Sequence, residues 1–229
     1  DHMTAMKVIH RVQQEGGNIT TFQSYCGGLP APEANDNPFG YKVSWSPRGV
    51  LLASGNSARF KRFGSIVEVP EGEIFDHVWK IDVAVDGVPI EFEGYPNRDS
   101  MPYAEIYGID PRDVMFRGTL RNTGWCAAMK LIARMGWLET EQMDGLEDET
   151  FSGLSARLMG VADPDDVRPR LAADAGIDPN GRELAALEWL GLFSSERLPV
   201  AGAPIDILTE RMLDKMSYAD NERDMVVLQ

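Results

Sequence analysis

Three short polar segments contain the residue types that could bind and transform a charged molecule. They are SYCGGLPAPE at 24–33, YPNRDS at 95–100 and RGTLR at 117–121. Each follows a stretch with the alternating pattern of a β-strand, and the binding residues of α/β enzymes gather where strands end. We therefore expect a site that is built from these three segments.

Arginine makes two of these segments informative. Arg98 lies in the second segment, and the pair Arg117 and Arg121 lies in the third. A guanidinium group binds a carboxylate through two parallel hydrogen bonds, and arginines at strand ends oppose the formal net charge of −14. The pattern favours an anion-binding site. The spacing leaves one alternative open, which is that these arginines pair with local acids such as Asp99 or Glu93.

Cys26 and Trp45 could each have a chemical or a structural role. Cys26 ends a strand and opens into a glycine turn, so it is either a reactive thiol or a buried structural cysteine. Trp45, in KVSWSP, either stacks on a flat ligand ring or covers the apolar side of its own loop. Cys126 lies on an amphipathic helix and is expected in the core. Two cysteines without CxxC spacing exclude a disulfide scaffold and indicate a reducing compartment, the cytoplasm.

Composition and missing motifs exclude several other classes of function. The net charge of −14 and a sequence pI of about 4.6 argue against nucleic acid and membrane surfaces as partners. The three histidines are scattered without HExxH spacing, so no metal site is expected. The motifs GxGxxG, GxxxxGK[ST] and GxSxG are also absent. We therefore expect no dinucleotide-binding Rossmann turn in this chain.

These residues are positioned by the predicted helices and strands. The predicted secondary structure changes from mainly strand to mainly helix near residue 122. The first half is β-rich, with an opening helix, a strand over 18–26, a long Gly/Pro-rich loop over 27–57, a hairpin turning at Asp86-Gly87, and a strand over 113–121. The second half predicts helices at about 125–139, 149–162, 164–176, 180–192 and 203–217, followed by a strand from Asp224.

This layout predicts an α/β (α+β) fold, in which a mixed β-sheet domain flanked by helices carries an all-helical insertion. The expected boundaries are 1–122 and 218–229 for the sheet domain and 123–217 for the insertion. The chain starts with Asp1 rather than Met, and the apolar run 226–228 has no terminating turn. We therefore expect a piece of a longer protein.

Several segments together resemble the NADP-dependent, L-glutamate-forming saccharopine dehydrogenase family. The resemblance runs from the first residue to the last, is closest in the long Gly/Pro-rich loop and is weakest around 139–182. It implies three domains in the whole enzyme, of which this chain matches the second and third, without the Rossmann domain. The segments that carry the resemblance are DHMTAM, SYCGGLPAPEANDNPFGYKVSWSPRGVLLASGNSA, YPNRDS, FRGTLR, LEWLGLF and YADNERDMVVLQ.

The resemblance also implies roles for individual residues. The saccharopine-contacting arginine of the family falls on Arg98, with Asn97 beside it, and the active-site cysteine falls on Cys26. The aromatic residue near the nicotinamide falls on Trp45, flanked by Ser44. The substrate-binding stretch GTLR falls on Gly118, Thr119, Leu120 and Arg121.

The function implied by the resemblance is the interconversion of saccharopine with glutamate and 2-aminoadipate 6-semialdehyde in lysine metabolism. NADP(H) would be bound mainly by the Rossmann domain that this chain lacks, so the chain alone would be inactive. A cytoplasmic homodimer is implied, with no nucleic-acid or membrane partner. Two alternatives remain: a related two-domain imine oxidoreductase that acts on another amino-acid or polyamine conjugate, and a non-catalytic dimerisation module. Convergence of Arg98, Arg121 and Cys26 would favour the substrate site.

Overall fold

The computed structural model describes residues 2–85 and 87–229, and the chain divides into two compact units. The first unit contains the sheet, and the second contains most of the helices. The first comprises Asp1–Leu29, Gly55–Arg121 and Met225–Gln229, and the second comprises Pro30–Ser54 and Asn122–Asp224.

The sheet is mixed, as the sequence predicts. Its strands run in the order β3-β2-β6-β1-β7, and the β4–β5 hairpin joins through β5 to β6. β1 and β6 are parallel, whereas β2 with β3 and β4 with β5 are antiparallel. The strand bounds are β1 Thr21–Pro30, β2 Ala58–Arg62, β3 Ser65–Val69, β4 Trp79–Val85, β5 Val88–Pro96, β6 Val114–Asn122 and β7 Asp224–Leu228.

Two helices of the first unit cover one face of this sheet. They are α1, His2–Gln14, and α3, Pro102–Tyr107. Their apolar side chains pack with those of β1 and β6 in one cluster, whose buried members are Ile9, Phe22, Tyr107 and Met115.

The opposite face of the sheet is built from aromatic rings. The ring centroid of Phe116 lies 5.2 Å from that of Tyr25 and 5.1 Å from that of Phe60. Side chains alternate between the two faces of a sheet along each strand. The odd-numbered residues of β6 after Met115 therefore lie on the α1 and α3 face, and the even-numbered residues after Phe116 lie on the aromatic face.

The second unit is a helical block around buried tryptophans. Trp125 and Trp137 are both fully buried, and the Trp137 Nε1 donates to the Ser155 Oγ at 3.1 Å. Gly160 and Gly176 end two of its helices with positive φ, which is the left-handed C-terminal cap that glycine favours. The helices of this unit are α2 Pro47–Ser54, α4 Trp125–Arg134, α5 Phe151–Met159, α6 Val167–Ala175, α7 Arg182–Leu190 and α8 Pro204–Met216.

Most predicted elements are confirmed, including α5 to α8 and the final strand. The β4–β5 hairpin is also confirmed by its register, in which Val85 is opposite Val88, although Asp86 of its predicted turn lies outside the described residues. The hairpin β2–β3 was not predicted. Its turn is Phe63-Gly64, with positive φ at both residues, rather than the Asn-Gly or Asp-Gly that usually marks such turns.

The segment 30–54 differs from its expected description in two ways. It contains a helix, α2, whose first turn is capped where the Gly49 N donates to the Ser46 Oγ at 3.2 Å. It also belongs to the helical unit rather than to the sheet domain, because the Tyr41 ring packs against Trp125 with centroids 4.5 Å apart.

Candidate functional site

The parallel pair of β1 and β6 forms the base of the candidate site. Cys26 pairs with Thr119 in the register of the two strands. Phe22 of β1 and Met115 of β6 both pack toward α1 and α3, so Cys26 and Thr119 lie on that same face by the two-residue alternation. Adjacent strands are about 4.8 Å apart, which makes Cys26 and Thr119 direct neighbours. Cys26 is half-buried and forms no disulfide.

Arg121 lies two residues beyond Thr119 on the same face of β6, about 7 Å further along the strand. It is only 8% exposed, and its Nη1 donates to the backbone oxygen of Leu120 at 2.8 Å. A buried guanidinium is costly unless its donors are engaged, and the Leu120 oxygen engages one of them.

The turn after β5 brings Asn97 and Arg98 to the same region of the sheet. The Asn97 N donates to the Arg117 O at 3.0 Å, and the Arg117 N donates to the Ser100 Oγ at 2.9 Å. The turn is therefore attached to β6 at Arg117, two residues before Thr119. Asn97 and Arg98 are both exposed.

Arg98 adopts a backbone conformation that L-residues rarely use. Its φ is +55°, and among the described residues Phe63 is the other non-glycine residue with positive φ. This left-handed conformation costs about 1–2 kcal/mol. Strained residues of this kind are held by their surroundings and cluster at functional sites. The Arg98 O accepts a hydrogen bond from the Arg59 N at 3.1 Å.

Local acids do not neutralise Arg98. The Asp99 carboxylate instead accepts from the Met101 N at 2.9 Å and lies 3.6 Å from the Arg59 guanidinium. Within residues 2–85 and 87–229, no ion pair involves the Arg98 side chain. The alternative that Asp99 pairs with Arg98 is therefore wrong.

The structure thus brings Cys26, Thr119, Arg121 and the Asn97-Arg98 turn onto neighbouring segments of one sheet. Along β6, the attachment of the turn at Arg117 and the position of Arg121 are four residues apart, which is about 13 Å. The described cavities of this unit lie elsewhere. Cavities of about 340 and 400 Å³ lie near α1 and the start of β1, and one of about 210 Å³ lies on the opposite face.

Gly118 and Leu120 lie on the other face of β6. The Leu120 side chain is fully buried, so it belongs to the core and not to a ligand surface. Gly118 is required by packing, because a Cβ there would lie 2.6 Å from the Phe116 Cε1 and 2.8 Å from the Tyr25 Cδ1. Gly118 and Leu120 can therefore serve a ligand on the Cys26 face only through their backbone.

Ser44 and Trp45 belong to the second unit and both are exposed. Trp45 is 73% exposed, so its indole does not cover an apolar side of its own loop. An open indole face suits stacking on a flat ring, and the neighbouring hydroxyl suits an amide or a hydroxyl of the same ligand. The exposure of both side chains is compatible with their predicted role at a flat ligand ring, which stays a prediction.

Three side chains that the sequence did not single out, His2, Tyr103 and Tyr107, lie near Arg117 behind the turn. The Arg117 guanidinium lies 3.9 Å from the ring centroid of Tyr103, and the Tyr107 Oη is 2.9 Å from the His2 Nδ1. Burial lowers the pKa of His2, and the positive charge of Arg117 lowers it further. Burial raises the pKa of Tyr107, an effect that Arg117 opposes. Arg117, predicted from its spacing to form an anion-binding pair with Arg121, thus stacks on a ring of α3.

Two features are absent from the described part of the chain. No group of His, Cys, Asp or Glu in it is arranged to hold a metal ion. No helix in it is both long enough and apolar enough to cross a membrane.

Comparison with known proteins assigns the family. The family model for the saccharopine dehydrogenase C-terminal domain matches residues 1–229. A saccharopine dehydrogenase [NADP(+), L-glutamate-forming] of Pyricularia oryzae is 38% identical over 235 residues, which span 100% of this chain and 52% of that protein. The mitochondrial alpha-aminoadipic semialdehyde synthase of Bos taurus is 38% identical over 236 residues, which span 100% of this chain and 25% of that protein.

A solved structure agrees with these sequence matches. The apo, histidine-tagged saccharopine dehydrogenase (L-Glu forming) from Saccharomyces cerevisiae superimposes with a TM-score of 0.85 at 36% identity, over 100% of this chain and 52% of that chain. The chain spans about half the length of the dehydrogenases and a quarter of the synthase. The fold class and the resemblance are thus confirmed, and the chain belongs to the saccharopine dehydrogenase C-terminal domain family.

Proposed function

We propose that this chain is the substrate-binding part of a longer NADP-dependent saccharopine dehydrogenase of the L-glutamate-forming type. The reaction interconverts saccharopine with glutamate and 2-aminoadipate 6-semialdehyde, in lysine metabolism. The observation that carries this proposal is that Cys26 pairs with Thr119 on the stretch of β6 between Arg117, where the Asn97-Arg98 turn is attached, and Arg121, in a chain of net charge −14. The activity for which the fungal relatives are named supports the same reaction.

The arginines match the chemistry of the substrate. Saccharopine has three carboxylates and a secondary amine in one extended molecule. Arg98 and Arg121 each provide a planar guanidinium, and each charged hydrogen bond to a carboxylate contributes about 1.5–3 kcal/mol. The exposed, strained Arg98 would bind one carboxylate, and the buried Arg121 would bind another. Asn97 would add an amide donor beside Arg98.

Cys26 and Thr119 lie between Arg121 and the point at Arg117 where the Arg98 turn is attached, and they would face the reacting part of the substrate. The Thr119 hydroxyl can hydrogen-bond to the substrate, with the backbone of Gly118 and Leu120 adding donors and acceptors. The Cys26 thiol can orient the amine and assist proton transfer while the imine forms or breaks down. No nucleophilic step by Cys26 is required.

Ser44 and Trp45 would contact the nicotinamide end of the cofactor, because an exposed indole and hydroxyl suit that ring. NADP(H), when bound, supplies or accepts the hydride at the imine carbon. A nucleotide-binding domain outside this chain would bind the remainder of the cofactor. We therefore expect the 229-residue chain alone to show no turnover.

The same proposal includes the assembly and the compartment. We propose a cytoplasmic protein without a nucleic-acid or membrane partner, because the chain is strongly acidic and has only two cysteines. The proposed homodimer rests on the family resemblance alone. Sedimentation of the complete enzyme would test the dimer, and a monomer at micromolar concentration would contradict it.

The experiment for the proposed function is a substrate profile of the complete enzyme that contains this chain. NADPH formation should depend on saccharopine, and the reverse reaction should require both glutamate and the semialdehyde. Preference for a polyamine conjugate or for lysine would favour the related imine oxidoreductases instead. The absence of any NADP-dependent turnover would favour a dimerisation module.

A further inference from the structure

The turn over 97–101 is held on both sides by neighbouring strands. On the β2 side, the Arg59 N donates to the Arg98 O at 3.1 Å, and the Ser100 N donates to the Arg59 O at 2.7 Å. On the β6 side, the Asn97 N donates to the Arg117 O at 3.0 Å. The strained backbone of Arg98 lies between these attachments.

Ser100 completes the attachment to β6 with its side chain. It is fully buried, and its Oγ accepts from the Arg117 N at 2.9 Å. In a continuous sheet a strand carbonyl would take this amide, but β5 has ended at Pro96 and the turn has begun. The hydroxyl therefore replaces a strand neighbour at this one position.

The first turn of helix α3 also contacts Ser100 and Arg117. The Tyr103 N donates to the Ser100 O at 3.3 Å, and the Tyr103 ring lies under the Arg117 guanidinium at 3.9 Å. The Asp99 Oδ1 accepts from the Met101 N at 2.9 Å, which closes a local turn on the other side of Ser100. Backbone and side-chain contacts thus converge on a single serine.

We propose that Ser100 is a positioning residue for substrate binding. Its hydroxyl holds Arg98 in the left-handed conformation from which the guanidinium meets a substrate carboxylate. This inference rests on the proposed function, because it assigns to Arg98 the role of carboxylate ligand. Ser100 itself does not touch the substrate and acts through Arg98.

The main test is Ser100→Ala in the complete enzyme. Without the hydroxyl, the turn loses an attachment to β6, and misplacement of a binding group by about 1 Å can cost up to about 100-fold. We expect the KM for saccharopine to rise about tenfold, but no more than in Arg98→Ala. The KM for NADP and the kcat at saturating saccharopine should stay within about twofold.

A double substitution separates positioning from general weakening of the structure. If Ser100 acts through Arg98, then Ser100→Ala should add little to the saccharopine KM of Arg98→Ala. An equal rise in both backgrounds would overturn the proposal, as would an unchanged KM in the single variant. Ser54→Ala is the matched control, because Ser54 is also buried and its hydroxyl donates to the Val50 O at 3.0 Å. That variant should keep the saccharopine KM.

A second pair of variants covers the case in which Ser100→Ala folds poorly. Ser100→Thr and Ser100→Val have nearly the same shape and differ in the presence of the acceptor oxygen. The saccharopine KM should be about tenfold higher for the valine variant than for the threonine variant, and equal KM values would overturn the proposal.

Hydrogen exchange provides a readout that does not depend on activity. The Arg117 amide should exchange faster in Ser100→Ala than in the parent enzyme, and unchanged protection would contradict the attachment. Failure of the proposed function has a different signature. In that case the parent enzyme shows no saccharopine-dependent turnover, while the exchange at Arg117 still responds to the serine.

Discussion

The two units contain arginines of two kinds, one that pairs with carboxylates of its own unit and one that does not. In the helical unit, Arg211 is 6% exposed, forms ion pairs with Glu196 and Asp214, and stacks on the Phe151 ring at 4.1 Å. In the sheet unit, Arg98 is exposed and strained, and no ion pair within the described residues engages its side chain.

This comparison shows that the ion-pair partners of an arginine indicate its role better than its burial does. Arg211 forms ion pairs with carboxylates of its own unit, so its charge contributes to the stability of the fold. The Arg98 turn is hydrogen-bonded to two strands, and no carboxylate within residues 2–85 and 87–229 pairs with the Arg98 side chain. The carboxylate of a bound ligand could form an ion pair with Arg98. Substitutions in the two units should therefore have different effects.

The largest expected effect on folding is in the helical core. Trp137→Ala removes a fully buried indole and its hydrogen bond to Ser155, and should lower the free energy of unfolding by about 3–5 kcal/mol. Denaturant unfolding would measure this loss. Trp45→Ala is the matched control, because that indole is 73% exposed. It should leave stability within about 0.5 kcal/mol and raise the KM for NADP instead. Equal losses of stability would contradict the distinction between these tryptophans.

A smaller effect is expected from removing the structural arginine. Arg211→Ala breaks the contacts with Glu196 and Phe151 and should lower the free energy of unfolding by about 2 kcal/mol. The saccharopine KM of the complete enzyme should not change. A rise in that KM without loss of stability would show that this arginine also serves the ligand.

The smallest expected effect is a pH dependence in the helical unit. The hydrogen bond from Lys42 lowers the pKa of Glu222, so this pair stabilises the fold above about pH 4.5 and loses its effect as the pH falls through the lowered pKa. Burial alone would lower the pKa of Lys42, but its hydrogen bonds to Glu222 and Asp36 outweigh burial and raise it. The contribution of Lys42 is therefore lost only as the pH rises above about 10.5.

Lys42→Met tests this pair. Unfolding free energy measured from pH 3 to pH 8 should depend less on pH in the variant than in the parent chain. The exposed pair of Lys80 and Glu91 provides the control, because Lys80→Met should leave the same curve almost unchanged. Parallel curves for the parent chain and Lys42→Met would contradict the linkage.

The sequence predicted the helices α5 to α8 because glycine and proline mark their ends, and the β4–β5 hairpin because its strands alternate. It did not predict the hairpin β2–β3, whose turn residue is Phe63, or α2, which begins at Pro47 within a Gly/Pro-rich stretch. In both cases packing and capping override weak local signals.

For the site, residue types and spacing marked Arg98, Arg121 and Cys26 as candidates but left a structural role open for each, and only the family resemblance assigned their roles, which stay predictions. The expected strand ends were wrong for two of them, because Cys26 lies within β1 and Arg121 lies within β6. Their convergence depends on the parallel pairing of β1 with β6, which no local pattern specifies. The role of Ser100 and Tyr103 depends on contacts with Arg117, fourteen or more residues further along the chain. The periodicity of the sequence predicts local secondary structure and cannot predict such long-range contacts.

Kinetic measurement of Arg98→Ala in the complete enzyme tests the central claim most directly. Loss of one charged hydrogen-bonded contact should raise the saccharopine KM by about 10- to 100-fold, while the KM for NADP stays nearly unchanged. Arg170→Ala, at an exposed helix ion pair with Asp174, should change neither value. Equal losses for saccharopine and NADP in Arg98→Ala would contradict the account, since they would show that Arg98 supports the fold rather than the substrate.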